Sequence, residues 1–404
     1  MKILFVSQYF YPEVFKGNDI VFDLVNRGHD VTVLTGKPNY PSGKFYDGYS
    51  FFNKREEVIN GVKVIRSPLF PRKNGGGIAL ALNYVSFVFF SYFTFLFRIK
   101  DKYDIVLAQQ LSPISMVIPG IWVKKAQKIP MVMWVLDLWP DSLVESKNIK
   151  SKYLTTLLDS LVKKIYDSTD VILISSNFFK KSIIENCSDK SKQIEYFPNW
   201  AEDVYTENYV SKKTCPTKPE GFNIMFAGNV GDSQDFETIL KAAKLTENTK
   251  INWIIVGDGR KLNWVKDQVA LNNITNVFLW GRFPLSMMPL IFRQADAMLV
   301  SLKNIKVFSL TVPAKLQAYM ASSKMIVGML NGEGNHIIKE SNCGVTCNAG
   351  DATELINSVI SLSKLDQNQI IEKQKNAKRY YDEHFSKKML FDKLESIMEK
   401  QLIK

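Results

Sequence analysis

Two groups of residues in the second half of the chain have the types and spacing to bind phosphate. The loop Gly228-Asn229-Val230-Gly231 follows a short apolar run, and its glycines let the backbone approach a ligand and present N–H groups to phosphate oxygens. In the second group, Thr311 can cap a helix, Pro313 suits its first turn, and Lys315 adds a positive charge near the helix start. Each group also has a plain structural interpretation, as an ordinary strand-to-helix turn or as a capped helix with a solvated lysine. Their occurrence in the same half predicts an anion site there.

Further candidates follow two other apolar runs of this half. Arg260 lies in Asp258-Gly259-Arg260-Lys261, and Gly281, Arg282 and Phe283 follow the next run. Ligands of open parallel sheets bind beyond the carboxyl ends of the strands, so these residues are candidates for the same site. Each arginine is also consistent with a solvated surface position.

The composition does not indicate a metal or a cofactor. The four cysteines form no Cys-x-x-Cys pair, there are three histidines, and no Asp-x-Asp triplet occurs in the chain. We therefore expect cationic side chains and helix dipoles to neutralise a diphosphate. The cysteine usage favours a reducing cytoplasm, and the first residues do not have the pattern of a secretory signal.

Short apolar runs alternate with helical patterns, which is typical of parallel sheets covered by helices. A chain of 404 residues is too long for one ordinary core, and strand-turn-helix beginnings occur both at its start and near its middle. The sequence therefore predicts two Rossmann-like domains, at 1–200 and 221–384, and a terminal helix at 385–404. The predicted strands are 3–7, 31–35, 62–66, 105–108, 131–135, 171–175, 224–227, 253–256, 277–279, 297–301 and 325–328.

The segment 78–97 is as long as a membrane-spanning helix and contains no charged residue. A predicted strand follows it closely, so a true span would divide the first domain across the bilayer. A core helix and a helix in the membrane interface remain as alternatives. Its high aromatic content, with basic residues at both ends, favours peripheral membrane contact.

The net charge of +12 is compatible with nucleic acid, anionic lipid or phosphorylated small molecules. No nucleic-acid-binding motif accompanies the charge, so nucleic acid is not expected as a partner.

The chain resembles family 4 of the retaining glycosyltransferases, which have the GT-B fold. The resemblance covers nearly the whole chain and is carried by these segments: 8–13, Arg27–Gly36, Pro38-Asn39-Tyr40-Pro41, 134–141, 227–234, 256–260 and 328–334. The pattern is most similar to the O-antigen and capsule branch that includes L-fucosamine (N-acetyl-L-fucosamine) transferases.

The resemblance implies an α/β fold of two Rossmann-like domains facing across a cleft, with the C-terminal helix crossing back to the first domain. It implies that Gly281–Phe283 meet the nucleobase, and that Gly228–Gly231 and Thr311–Lys315 meet the diphosphate of the donor. Gly17 stands where the family's glycine-rich loop approaches the donor phosphate.

The resemblance also implies that the acceptor binds the first domain. Asp137 and Trp139 follow the predicted strand 131–135 and are expected at the cleft, with Glu13 and Asn39 on the same rim. Asp137 is suited to accept a hydrogen bond from the acceptor hydroxyl or to stabilise positive charge on the sugar ring. It is also suited simply to cap the following turn.

The sequence departs from this family at two places. The usual Glu-x7-Glu pair, whose second member holds the ribose hydroxyls, falls on Leu310 and Ala318. The usual Arg and Lys after the first C-terminal strand fall near Asn229 and Asp235. Lys315, Arg260 and Arg282 are the candidate replacements, and Asp137, Lys315 and Arg260 are the predicted catalytic residues.

The expected activity is a retaining, metal-independent transfer of a sugar from a UDP-sugar to a polyprenyl-diphosphate-linked saccharide at the cytoplasmic face of the inner membrane. The alternatives are a GT-B sugar-nucleotide epimerase, which shares the fold and donor, and a catalytically dead membrane-associated scaffold.

Overall fold

The computed structural model describes residues 1–73, 76–141, 151–206 and 215–403. The chain divides into two compact units, one formed by residues 1–197 and 391–404 and the other by residues 198–390. Each unit contains one β-sheet with helices packed against its strands, so the expected α/β class is confirmed.

The first unit has an eight-stranded sheet. Its strands are β1 (Lys2–Val6), β2 (Asp30–Gly36), β3 (Glu56–Ile59), β4 (Val62–Ser67), β5 (Ile105–Gln110), β6 (Met131–Val135), β7 (Val171–Ile174) and β8 (Gln193–Tyr196). Its helices are α1 (Lys16–Asn26), α2 (Gly77–Arg98), α3 (Ile118–Gln127), α4 (Lys152–Asp167) and α5 (Phe179–Asn186). The strand order is β3-β4-β2-β1-β5-β6-β7-β8, and all neighbours are parallel except β3 and β4.

The second unit has a six-stranded parallel sheet in the order β11-β10-β9-β12-β13-β14. Its strands are β9 (Phe222–Ala227), β10 (Ile251–Val256), β11 (Val277–Gly281), β12 (Ala297–Ser301), β13 (Met325–Met329) and β14 (Gly344–Cys347). The helices that follow are α6 (Phe236–Leu245), α7 (Leu262–Leu271), α8 (Met288–Arg293), α9 (Lys306–Leu310), α10 (Ala314–Ala321), α11 (Glu333–Ser341), α12 (Ala352–Ser363), α13 (Gln367–His384) and α14 (Lys387–Leu402).

The central strands form because their apolar runs are covered on both faces. Residues 3–6 of β1 and residues 297–301 of β12 are all buried, which requires apolar side chains at successive positions rather than at alternate ones. The strand order reverses between β1 and β5 in the first sheet and between β9 and β12 in the second. The carboxyl ends of these strands are the places where parallel sheets bind ligands.

All the strands predicted from apolar runs are present, and three further strands were missed. The missed strands, β3, β8 and β14, are four residues long and lie at sheet edges. An edge strand is only partly covered, and most residues of these three are partly exposed, so their sequences lack a continuous apolar run.

The terminal helix begins close to the predicted residue 385, because α13 ends at His384 and α14 runs from Lys387 to Leu402. From residue 391 onward the chain belongs to the first unit. Arg27 at the end of α1 pairs with Asp392 at 2.7 Å and with Glu395 at 2.8 Å, and His29 Nε2 lies 2.7 Å from Glu395 Oε1. These contacts help to hold α14 against α1 and β2 of the first unit.

Helix α2 buries a mostly polar face and exposes an apolar one, the reverse of a helix that packs on a soluble core. Its buried residues are mostly polar, and they are Asn83, Ser86, Phe87, Ser91 and Thr94. The apolar residues exposed at helical spacing are Ile78, Leu82, Val85, Phe89, Tyr92, Phe93, Leu96 and Phe97. Within the described residues, α2 is the one helix long and apolar enough to cross a membrane, and 28% of its most apolar window is buried. Its apolar side therefore belongs to the surface of the first unit.

Candidate active site

A pocket of about 560 Å³ lies at the carboxyl ends of three strands of the second unit. β9, β10 and β11 contribute Ala227–Asn229, Val256–Asp258 and Arg282–Phe283. The first two turns of α10 contribute Ala314, Lys315, Ala318 and Tyr319. The pocket therefore lies at the sheet edge where the sequence predicts ligand binding.

Two glycines let the ends of β9 and β10 converge with Lys315. Gly228 has φ +136°, and a Cβ on it would lie 2.8 Å from Lys315 Cε. Gly257 also has φ +136°, and its Cβ would lie 1.8 Å from the Gly228 carbonyl oxygen. A side chain at either position would be both strained and in collision. The structure thus brings Lys315, from the second predicted group, next to the glycine loop of the first.

The Lys315 amine is buried without a hydrogen-bond partner among the described residues. Its Nζ lies 3.4 Å from the centroid of the Phe226 ring, although the residue as a whole is partly exposed. Burial lowers the pKa of Lys315 to about 7. No carboxylate of the described residues forms an ion pair with this amine, and an anionic ligand in the pocket would supply a counter-charge.

Three of the four N–H groups of the Gly228–Gly231 loop donate within the protein, so they do not form the expected phosphate cradle. The N–H of Gly228 donates to Val256 O, that of Val230 to Asp258 O, and that of Gly231 to Gln234 Oε1. These N–H groups hold the loop itself, so neutralisation of an anion depends on side chains. Gly228 and Asn229 line the pocket, whereas Gly231 is buried outside its lining.

The two candidate arginines of this unit occupy different positions. Arg282 is exposed and lines the pocket with Phe283. Arg260 is exposed and does not line the pocket, so the structure does not place it with Lys315. Gly281 ends β11, where its carbonyl accepts a hydrogen bond from Gly257 N at 2.8 Å. Gly281 therefore supports the Gly257 turn instead of lining the pocket.

The prediction that Thr311 caps α10 is wrong. Thr311 lies three residues before the helix begins at Ala314, follows the short helix α9, and donates its hydroxyl to Phe308 O at 3.1 Å. Pro313 precedes the first turn of α10 instead of lying in it. Neither residue lines the pocket.

A stack of aromatic rings forms a wall of the pocket that sequence reasoning missed. Tyr205 is stacked on Phe292 at 5.3 Å, and Phe292 packs edge-on against Tyr319 at 5.3 Å. The Tyr319 hydroxyl hydrogen-bonds to both the N–H and the carbonyl of Ala227, at 3.0 Å each. Tyr205 lies in the polar stretch between the two predicted domains, where no periodic signal marks a packed residue.

In the first unit, the predicted residues Glu13 and Asn39 are in direct contact. Glu13 is buried and accepts hydrogen bonds from the N–H groups of Asn39 at 2.8 Å and Tyr40 at 2.7 Å. Burial raises the pKa of Glu13 to about 7, against the lowering effect of these backbone hydrogen bonds. The Asn39 side chain donates to Lys37 O and accepts from the N–H of Arg72. Both residues therefore have structural partners.

Trp139 lies in the same unit, beyond the end of β6. Its indole N–H donates to Ser112 Oγ at 3.2 Å, and the Tyr9 hydroxyl donates to the Ser112 carbonyl at 3.3 Å. Asp137 follows β6 by two residues and is partly exposed. Ser112 follows β5, the neighbour of β6, so these side chains come from adjacent strand ends.

Gly17 is part of a helix and not of a loop. It is the second residue of α1, and a Cβ on it would lie 2.3 Å from Gln109 Oε1 and 2.8 Å from the Phe5 ring. The absence of a side chain therefore lets α1 pack on the sheet.

Within the described residues, no group of three or more His, Cys, Asp or Glu side chains is placed to hold a metal ion.

Two family models match the chain. One, described as Glycosyl transferase 4-like domain, matches residues 18–200, and the other, described as Glycosyl transferases group 1, matches residues 221–364. The chain is a glycosyltransferase. The second match includes every pocket residue that β9, β10, β11 and α10 contribute.

Two curated relatives of this glycosyltransferase bear names of the same activity. WbjE of Pseudomonas aeruginosa, named as a glycosyltransferase, is 28% identical over 67% of this chain and 70% of its own length. WcaI of Escherichia coli K12, named for a glycosyl transferase of colanic acid biosynthesis, is 23% identical over 80% of this chain and 81% of its own length.

Solved structures show that the glycosyltransferase has the GT-B fold. Anabaena Alr3699/HepE in complex with UDP and glucose is similar with a TM-score of 0.67, at 12% identity over 99% of this chain and 100% of the other. The E. coli trehalose-6-phosphate structure bound with UDP-2-fluoro glucose has a TM-score of 0.72, at 10% identity over 98% and 99% of the two chains.

The glycosyltransferase lacks both carboxylates that the family resemblance leads one to expect. Ala318 lines the pocket with a methyl group, whereas Leu310 ends α9 and does not line the pocket. A ribose in this pocket would therefore need another hydrogen-bond acceptor.

Proposed function

We propose that this glycosyltransferase moves a sugar from a UDP-sugar to a polyprenyl-diphosphate-linked saccharide during synthesis of an O-antigen, capsule or related polysaccharide. The observation that carries the donor assignment is the buried amine of Lys315, which has no hydrogen-bond partner in the described part of the chain and lies beside a pocket at the strand ends. The names of the relatives support a polysaccharide product, and the UDP-bound neighbours support the donor. The proposed sugar is N-acetyl-L-fucosamine, by resemblance to that branch of the family.

We assign the diphosphate to Gly228, Asn229 and Lys315, and the nucleobase to the wall formed by Arg282 and Phe283. Lys315 supplies the positive charge for the diphosphate, because the N–H groups of Gly228, Val230 and Gly231 are engaged within the protein. Arg282 adds a second cation at the open side of the pocket. The proposal needs no protein-held metal, because these side chains carry the neutralising charge.

The proposed transfer retains the configuration of the sugar. The acceptor oxygen bonds to the anomeric carbon on the face from which the diphosphate departs, and the acceptor proton moves to a leaving diphosphate oxygen. Lys315 stabilises the negative charge that develops on this leaving group. Removing one such donor from other enzymes lowers turnover about a hundredfold or more.

We assign the acceptor to the rim of the first unit. Asp137 is proposed to accept a hydrogen bond from the acceptor hydroxyl or to stabilise charge on the sugar ring, with Trp139 beside it. Glu13 and Asn39 shape the same rim through their contacts with each other. We propose no role for Arg260, since it lies outside the donor pocket.

The test is to titrate the purified chain with UDP, GDP and dTDP, and then to incubate it with UDP-sugars and a bacterial lipid extract. We expect UDP to bind and a glycolipid heavier by one sugar to appear in the mass spectrum. Lys315→Ala should fold and bind UDP weakly, whereas the matched surface variant Lys241→Ala should behave as wild type. Conversion of the donor without acceptor would instead indicate an epimerase, and no response to any nucleotide would indicate a scaffold.

We further propose that α2 rests in the cytoplasmic face of the inner membrane. Its exposed apolar residues continue into an aromatic surface, in which Phe90 contacts Phe51 at 5.1 Å and Phe70 at 6.1 Å. Exposed Lys73 and Lys102 lie near its two ends. Apolar residues buried in the interface, together with cations near anionic lipid, are typical of interfacial helices.

Co-sedimentation with vesicles tests the membrane contact. We expect the chain to bind vesicles containing phosphatidylglycerol more tightly than vesicles of phosphatidylcholine alone, and salt to weaken the difference. A chain that stays in solution with both vesicles would contradict the proposal.

A further inference from the structure

Two carboxylates line the donor pocket, and they differ in their surroundings. Asp258 is exposed, and its Oδ1 already accepts a hydrogen bond from Gly259 N at 2.7 Å. Glu202 is partly buried and lies near the start of the second unit. Of the two, Glu202 is better enclosed for recognising a ligand in the pocket.

The position of Glu202 is fixed by the aromatic wall. Its carbonyl accepts a hydrogen bond from Tyr205 N at 3.0 Å, which closes a turn of 3-10 helix. Tyr205 is in turn stacked on Phe292, and Phe292 packs on Tyr319. Glu202 is thereby attached to the wall that includes α10, where the side chain of the neighbouring Ala318 offers no hydrogen-bonding group.

This wall connects the two parts of the pocket assigned to the donor. Phe292 belongs to α8, which follows the proposed nucleobase residues Arg282 and Phe283. Tyr319 hydrogen-bonds to Ala227, the residue before the proposed diphosphate residue Gly228. A nucleotide has its ribose between base and diphosphate, so the ribose would pass along the wall that carries Glu202.

We infer that Glu202 accepts hydrogen bonds from the ribose hydroxyls of the donor, and that the pocket therefore selects ribonucleoside over 2′-deoxyribonucleoside diphosphate sugars. The inference rests on the proposed function, because it takes the ligand to be a nucleoside diphosphate. Both hydroxyls of a ribose are donors, and a carboxylate has two oxygens that only accept. Hydrogen bonds to a charged acceptor are stronger than those between neutral groups.

The test compares UDP with 2′-deoxy-UDP by calorimetric titration of the wild type, Glu202→Ala and Glu202→Gln. The control is Glu220→Ala, which removes a fully exposed carboxylate of the same unit. We expect wild type and Glu220→Ala to bind UDP about tenfold or more tightly than 2′-deoxy-UDP, in line with one charge-assisted hydrogen bond. In Glu202→Ala the affinity for UDP should fall and the preference should disappear. Glu202→Gln should retain a small preference.

The ratio of the affinities for UDP and 2′-deoxy-UDP distinguishes a role in recognition from a structural role, since a distorted pocket would weaken the binding of both nucleotides alike. Full preference in Glu202→Ala, or in Glu202→Gln if the alanine variant does not fold, would overturn the inference and leave the proposed function intact. The absence of any preference in the wild type would overturn it too. Failure of the wild type to bind either nucleotide would overturn the proposed function as well.

Discussion

Replacement of Lys315 by methionine should make the second unit more stable and the enzyme nearly inactive. Methionine has nearly the same length and is apolar, so it can occupy the space beside Phe226 without a desolvated amine. The same amine is the proposed partner of the leaving diphosphate. A gain in stability combined with a loss of function is the pattern expected of a residue kept for catalysis.

The magnitude follows from the pKa of Lys315, which burial lowers from 10.5 to about 7. Between these values the unfolded chain binds more protons than the folded chain, so the contribution of Lys315 to stability rises with pH. Below about pH 7 both states are charged, and the cost of burying the ammonium is complete. From pH 6 to pH 9 the free energy of unfolding of the wild type should therefore rise by about 1–3 kcal/mol relative to that of Lys315→Met.

The assay is urea unfolding of the wild type and Lys315→Met at pH 6 and pH 9, with Lys241→Met as the exposed control. Because each variant is compared with the wild type at the same pH, the contributions of the other titrating groups to the free energy of unfolding cancel. The free energy of unfolding of Lys315→Met should exceed that of the wild type most at pH 6, while Lys241→Met shows no such trend. Transfer activity of Lys315→Met should fall about a hundredfold or more.

Two results would refute this reasoning. A stability difference that does not change with pH would mean that the Lys315 amine is solvated in the folded protein. Undiminished transfer by Lys315→Met would remove the residue from the reaction, whatever its effect on stability.

Three other changes test separate parts of the structure. The double variant Phe89→Ser, Phe97→Ser replaces side chains that are 57% and 68% exposed, and it should weaken vesicle binding by about 2 kcal/mol, or about thirtyfold. The control Leu271→Ser, at a residue 75% exposed on the other unit, should bind vesicles as the wild type does. Equal binding by the double variant and the control would contradict the membrane contact. Gly228→Ala should lower UDP affinity sharply and destabilise the fold by about 1–3 kcal/mol, because residue 228 has φ +136° and the new Cβ would lie 2.8 Å from Lys315 Cε. Calorimetric titration measures the affinity and urea unfolding measures the stability. Normal UDP binding by the variant would show that the turn can relax. Burial raises the pKa of Glu13 to about 7, so between about pH 4.5 and 7 the folded chain binds a proton that the unfolded chain has lost, and stability falls as pH rises. In urea unfolding, the free energy of unfolding of Glu13→Gln should therefore rise by about 1–3 kcal/mol relative to that of the wild type from pH 5 to pH 8. A difference that does not change with pH would mean that the carboxylate is solvated.

Local pattern was enough to predict the fold class and most central strands. Buried parallel strands need consecutive apolar residues, and such runs are visible at β1, β6, β9 and β12 without any tertiary information. Three of the four edge strands, β3, β8 and β14, escaped prediction because one side of an edge strand lacks a neighbour and these three have no continuous apolar run. The types of residue at the pocket, a glycine turn and a lysine at a helix start, were also visible in the sequence.

From the residues alone it could be predicted that α2 is long and apolar and that Gly228 and Lys315 suit an anion. The folded contacts were needed to show that α2 buries its polar side, that the amine of Lys315 has no hydrogen-bond partner among the described residues, and that Tyr205 and Glu202 line the pocket. These facts depend on contacts between segments far apart in the chain. Burial and electrostatic environment are set by neighbours in space, and periodicity along the sequence carries no record of them.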